Sequence, residues 1–178
     1  METITHILDF EFFQFGKRQT HDYFYAIREF ALIGLDDGTV FHQHVDPGEL
    51  PMNGRAKKTF MYQSWTMKLP FHPRMPSIGQ QEAETTLLKY IMRDPRPTRL
   101  ASKGGTAERL FCEKFRLSCV NLEDYNCPKY NTLIKNAEYA EIANWEDCGL
   151  HTFGHSRSYH CCRSEVAVFR HWLKQTFA

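Results

Sequence analysis

No stretch of this 178-residue chain is apolar for long enough to cross a bilayer. The opening METITHILDFEF lacks the basic segment followed by an apolar one that a secretory signal needs. The expectation is an intracellular protein, cytoplasmic or nuclear, with no membrane partner. An excess of either charge is missing too. Lys and Arg number 22 against 21 Asp and Glu, a net charge of +1 that provides no overall basic field. A nucleic acid would have to be met by local patches, such as Arg55, Lys57 and Lys58, or Arg93, Arg96 and Arg99. There is no internal repeat and no linker, so residues 1–178 are expected to form one domain, a length that supports a sizeable core. With 42% hydrophobic and 24% charged residues the disordered class is excluded, and fourteen Phe point to a dense core. Six Cys could form three disulfides, but in a reducing compartment Cys and His together are read first as a metal site.

Apolar and aromatic runs at residues 4–15, 23–35 and 39–45 predict three strands, the last two joined by an LDDG hairpin turn. DPGELP stops the third. Residues 51–76 read as an irregular, basic surface excursion. Ser77 opens a helix that runs to about residue 93, with Leu87, Leu88 and Ile91 on one face, and DPRP ends it. A short strand at 98–102, a GG turn, a helix TAERLFCEKF and a strand at 117–125 follow. Residues 126–147 read as a loop containing at most a short helix. Cys162 to Thr176 closes the chain as an amphipathic helix, with Val166, Phe169, Trp172 and Leu173 on one side. Three antiparallel strands followed by alternating helix and strand predict an α/β domain with a mixed sheet.

Asp9 and Glu11 lie two apart on the first strand, so both side chains take the same face. Either the strand end is solvated and the pair incidental, or a cation neutralises two acids that are costly to bury together. Glu108 sits in the first turn of a helix that follows a strand and a KGGT turn; taken alone it serves the helix dipole. His160 and Glu165 stand five apart at the entrance of the last helix.

In order, DFE on strand one, LASKGGTAERLF after a strand and HCCRSE opening a late helix resemble the three motifs of the DEDDh ribonuclease-H-like 3′–5′ exonucleases. HVDPGELP resembles the turn after the third strand of that group. The second motif usually carries Asn and Asp where this chain has Lys103 or Gly104 and Glu108. The third has Glu165 where Asp is usual. The resemblance implies a ribonuclease-H-like fold in which Asp9, Glu11, Glu108 and Glu165 hold two Mg²⁺ or Mn²⁺ ions and His160 is the general base. Two acids are one methylene longer than the pattern, a difference of about an ångström that can cost roughly a hundredfold in rate.

Cys148-x2-His151 has metal-ligand spacing, and Cys161 follows ten residues later. Because Cys161 directly follows His160, its side chain turns away from the acid face. With Glu29 in REFAL on strand two, the set is similar to the Glu-Cys-His-Cys zinc site of the Maelstrom domain and to that of the arenavirus nucleoprotein exonuclease domain. REFALIGL with the DPGELP turn resembles Maelstrom in particular. The resemblance implies one structural, four-coordinate zinc that pins residues 148–161 against strand two. The alternative is that the four residues bind nothing. His155 and Cys162 are the rival ligands, Cys162 the better candidate for core. Cys112 and Cys119 read as core, and Cys127 shows no partner spacing. The remaining histidines, His6, His21, His42, His44, His72 and His171, read as surface or packing residues, with His42 and His44 alternating on strand three where they could face solvent.

The exonuclease resemblance implies that Phe12 and Phe13, just after the first motif, lie near the terminal nucleotide, and with Lys103 they are the candidate substrate contacts. A Phe can stack on a base, but neighbours on a strand face opposite ways, so one of the two Phe is expected in the core. The basic segments 55–58 and 68–74 either track phosphates or are a solvated loop. The expected function is a metal-dependent 3′–5′ exonuclease, monomeric, acting on RNA or single-stranded nucleic acid. The alternatives are a Maelstrom-like RNA-binding domain or RNA endonuclease with a degenerate exonuclease site, and a zinc-stabilised protein-interaction domain.

Overall fold

The computed structural model describes residues 4–15, 24–49, 54–67, 69, 76–145, 148, 151 and 161–177. β1 (His6–Phe15) pairs antiparallel with β2 (Phe24–Gly34), and β2 with β3 (Val40–Asp46). Gly38, at φ 72, makes the turn between β2 and β3 that LDDG predicts. The segment expected to be irregular instead contains a helix, α1 (Gly54–Met67). Its sequence holds no proline, and Phe60 on it is wholly buried against Phe13, with ring centroids 5.4 Å apart. That anchor is tertiary, which is why composition alone reads as loop.

A two-residue β4 (Ile78–Gly79) pairs parallel with β3, so the helix expected from Ser77 starts later, as α2 (Gln80–Ile91). β5 (Arg99–Ser102) lies parallel to β1 on its other side. After α3 (Thr106–Phe115) comes β6 (Ser118–Asn121), parallel to β5, and one turn of 3₁₀ helix at Leu122–Tyr125. The stretch expected as loop then holds two helices, α4 (Tyr130–Leu133) and α5 (Ala137–Trp145). They bury Tyr130, Leu133, Tyr139 and Ala143 against the final helix, α6 (Cys162–Thr176), whose bounds are those the sequence predicts. The sheet order is β4-β3-β2-β1-β5-β6, with the antiparallel strands on one side of β1 and the parallel ones on the other. This is the mixed α/β sheet, flanked by helices, that the ribonuclease-H-like resemblance implies.

Two apolar cores occupy the two faces of the sheet. On one face Ile7, Ala31, Ile33 and Ala101 pack with Cys162, Val166 and Phe169 of α6. On the other Leu8, Phe10, Phe30, Leu32 and Leu100 pack with Leu87 and Ile91 of α2 and Phe111 of α3. β1 and β2 are buried on both sides, which explains their nearly unbroken apolar sequences. A β-bulge interrupts the β1–β2 ladder: Glu11 pairs with Glu29 but Phe12 with Ile27, leaving Arg28 as the extra residue. Arg28 turns inward, over the Phe13 ring at 5.3 Å, with Nη1 donating to the Val45 carbonyl at 3.3 Å.

Candidate active site and metal centre

Asp9 lies opposite Ala31 in the ladder, so Asp9 and Glu11 share the sheet face that α6 covers. Both keep part of their surface open. Glu165, in the first turn of α6, is buried beneath them. The fourth acid arrives from the opposite layer. β1 pairs with β5 only at His6 and Ile7, and beyond that point the Phe10 amide donates to Glu108 Oε1 at 2.7 Å. Gly105 makes room for this reach: a Cβ at that position would collide with the Glu108 carboxylate.

The four carboxylates therefore meet, and their electrostatics show it. Burial, then repulsion from Glu165, Glu108 and Glu11, pushes the Asp9 carboxyl well above the usual range. Burial, then Glu165 and Glu29, does the same to Glu11. Burial lifts Glu108 to about 7 although the Phe10 amide pulls it down. Such a set holds protons, or it holds cations in their place. Oxygen-only donors whose charges repel are the chemistry that Mg²⁺ and Mn²⁺ take.

Among the other expected residues, Phe13 is wholly buried and belongs to the core, while Phe12 stays partly exposed with its ring 6.5 Å from that of Tyr25. Lys103 pairs with Glu123 at 3.0 Å. His160 and His155 lie outside the described residues, as do His21, His72 and most of segment 68–74. A cavity of about 480 Å³ opens at the carboxyl ends of β5 and β6, lined by Arg99, Gly104, Gly105, Arg109 and Asn121 among others.

Next to the acids lies a second cluster. Glu29, directly across the ladder from Glu11, is fully buried. Its ligand atoms and those of Cys148, His151 and Cys161 all lie within 4.8 Å of one another. The carboxylate Oε2 is 3.0 Å from His151 Nε2, and the Cys161 thiol donates to Oε1 at 3.8 Å. Burial alone would lift the Glu29 carboxyl, but His151 and His42 hold it at about 2. His151 is raised to about 11 against its burial by Cys161 and Glu29. The Cys161 thiol is lowered to about 5, chiefly by its hydrogen bond with Cys148. Two sulfurs, an imidazole and a carboxylate within 4.8 Å of one another make a group that could hold a metal ion, and the donor types suit zinc. Cys162, the rival, is in the core: its Sγ accepts from the Glu11 amide at 3.1 Å and donates to the Glu29 carbonyl at 3.6 Å.

His42 and His44 correct the sequence reading. They do not face solvent; both turn toward Glu29, with His42 Nε2 2.5 Å from Glu29 Oε1 and His44 only 7% exposed. Period-two alternation gives them a common face, but which face depends on the register Glu29↔His44 and Ala31↔His42, which is a cross-strand property. The His-x-His spacing was the one available signal.

No family model matches the chain, and no curated protein matches it in sequence. Solved structures do match in shape. One shows the 3′-end specific recognition of histone mRNA stem-loop by a 3′-exonuclease: 12% identity, TM-score 0.54, over 97% of this chain and 63% of that one. Another is a full-length 3′-exonuclease: 11% identity, TM-score 0.52, over 98% of this chain and 84% of that one. This chain thus spans under two thirds of the first of these proteins. At such identity the likeness is one of fold, and the fold it shows is that of 3′-exonucleases.

Proposed function

We propose that residues 1–178 form one ribonuclease-H-like domain that acts as a metal-dependent 3′–5′ exonuclease on RNA or single-stranded nucleic acid. The observation that carries this is the meeting of Asp9, Glu11, Glu108 and Glu165 from β1, α3 and α6, in a fold shared with 3′-exonucleases. In this reading the four acids hold Mg²⁺ or Mn²⁺, which supply the charge for activating water and for stabilising the leaving oxygen. The chain does the rest. Buried Glu108 and Glu165 fix the depth of the site, and partly open Asp9 and Glu11 face the substrate. His160, the residue before Cys161, takes the proton of the attacking water. Phe12 offers a partly exposed ring to the terminal base. The cavity at the carboxyl ends of β5 and β6 carries Arg99 and Arg109 with Asp124 on its wall, and the two guanidinium groups offer contacts to phosphates behind the scissile bond.

Glu29, Cys148, His151 and Cys161 hold zinc in a structural role. Glu11 and Glu29 are like charges directly opposite on one face, a destabilising pair that zinc neutralises from the Glu29 side. The same ion ties Cys148, His151 and Cys161 to β2, and Cys161 is the chain neighbour of His160.

The second reading is a Maelstrom-like RNA-binding domain that does not degrade from the 3′ end. The Glu residues at 108 and 165, where Asp is usual, favour it. Incubation with 3′- and 5′-labelled RNA, in Mn²⁺ or EDTA, decides. A ladder shortening from the 3′ end, lost in EDTA and in Asp9→Ala, is expected. Internal cuts that survive EDTA, or binding without cleavage, would favour the second reading. No binding to nucleic acid even at low salt would leave a zinc-stabilised interaction domain.

A further inference from the structure

The zinc reading leaves two histidines unexplained. A four-coordinate zinc is complete with Glu29, Cys148, His151 and Cys161. Yet Glu29, His42, His44 and Cys148 form a second set whose ligand atoms also lie within 4.8 Å of one another. His42 and His44 stand with ring centroids 4.9 Å apart and planes at 87°, too close to be independent surface residues. His44 is buried, and among the described residues its Nε2 has no hydrogen-bond partner, a costly arrangement for an imidazole with nothing to bind. The two sets share Glu29 and Cys148: Glu29 Oε1 meets His42 at 2.5 Å and also the Cys161 thiol at 3.8 Å, while Oε2 meets His151 at 3.0 Å.

We propose that this centre takes two divalent ions of the zinc class rather than one. His151 and Cys161 serve the first ion and His42 and His44 the second, with Glu29 and Cys148 bridging the pair. Two four-ligand sets that share two members account for all six side chains. A bridging carboxylate uses one oxygen per ion, and the two Glu29 oxygens each meet a different histidine, one from each set. Imidazole, thiolate and carboxylate together suit zinc or cobalt and suit magnesium poorly. The second ion would fasten β3 to β2 and to Cys148, widening the clamp from one strand to two. The inference rests on the first zinc set being a metal site, because it borrows half of that set's ligands.

Titration of the metal-free full chain with Co²⁺, followed by the absorption of cobalt-bound thiolate and by elemental analysis, tests it. Two equivalents per chain are expected. His42→Ala with His44→Ala should bind one equivalent and keep the Cys161-dependent absorption. His151→Ala with Cys161→Ser should lose the first position and weaken the second. Saturation of the unaltered chain at one equivalent overturns the second position whether or not any variant folds. If that single equivalent is unmoved by replacing His42 and His44, the first site stands without the second. No bound metal at all overturns both readings.

Discussion

Glu108 reaches the other three acids only because residue 105 is glycine, and at φ −69 that position does not need glycine for its backbone. Gly105→Ala should therefore fold normally and displace the carboxylate. The expected outcome is a melting temperature within a few degrees of the parent and a ten- to hundredfold fall in the rate of RNA shortening or in Mn²⁺ affinity, since misplacement near an ångström costs about that much. The same carboxyl has a pH signature. Its folded pKa is raised from 4.5 to about 7, so the folded state holds a proton that the unfolded state gives up. That contribution to stability is complete below the unfolded pKa and is lost as pH rises toward 7, a loss of about 3 kcal/mol. Metal-free protein should melt at progressively lower temperature from pH 4.5 to 8. Mn²⁺ should raise the melting temperature more at pH 8 than at pH 5, and Glu108→Gln should flatten the profile. A metal-free profile that rises over this window would contradict the assignment of Glu108 to a buried acid cluster.

At the scale of elements, α6 does two jobs from one turn. Cys161, at its N-cap, faces Glu29, while Cys162 and Glu165 face the acids on β1. Its apolar stripe fixes that turn against the sheet, so a shortened side chain cannot be compensated by sliding the helix. Glu165→Asp should keep the far-ultraviolet circular dichroism and the melting temperature, yet lower turnover by roughly a hundredfold. The shorter acid is the usual one in the exonuclease pattern, so a rise in rate instead would mean that the present Glu is the misfit. Phe60 is the wholly buried aromatic of helix α1. Phe60→Ala should cost about 3–5 kcal/mol in urea denaturation, the range for truncating a buried aromatic, whereas Trp65→Ala, at an exposed position, should cost little.

For the molecule as a whole, the Glu29, Cys148, His151 and Cys161 group, which could hold a metal ion, brings β2 together with three residues more than a hundred positions further along the chain. Its loss should be felt globally. A strong zinc chelator at neutral pH should lower the melting temperature by roughly 8 °C or more, and Cys148→Ser should reproduce that shift without chelator. Removing Mg²⁺ or Mn²⁺ from the acid site should abolish cleavage with a smaller thermal effect. By itself the sequence determined much of this. Period two placed Asp9 and Glu11 on one face, apolar runs marked β1 to β3, and α6 was legible to the residue because its stripe is local. Motif order also brought Glu108, Glu165 and the Glu29, Cys148, His151 and Cys161 set into view. Only the tertiary structure decided the rest. Helix α1 forms around a contact between Phe60 and Phe13, 47 positions apart in the numbering. The bulge at Arg28 resets which residues share a face, and the β2–β3 register turns His42 and His44 inward. Register and long-range packing are properties of pairs of segments, so a period read along one segment can say that two side chains agree in direction, never which way they point.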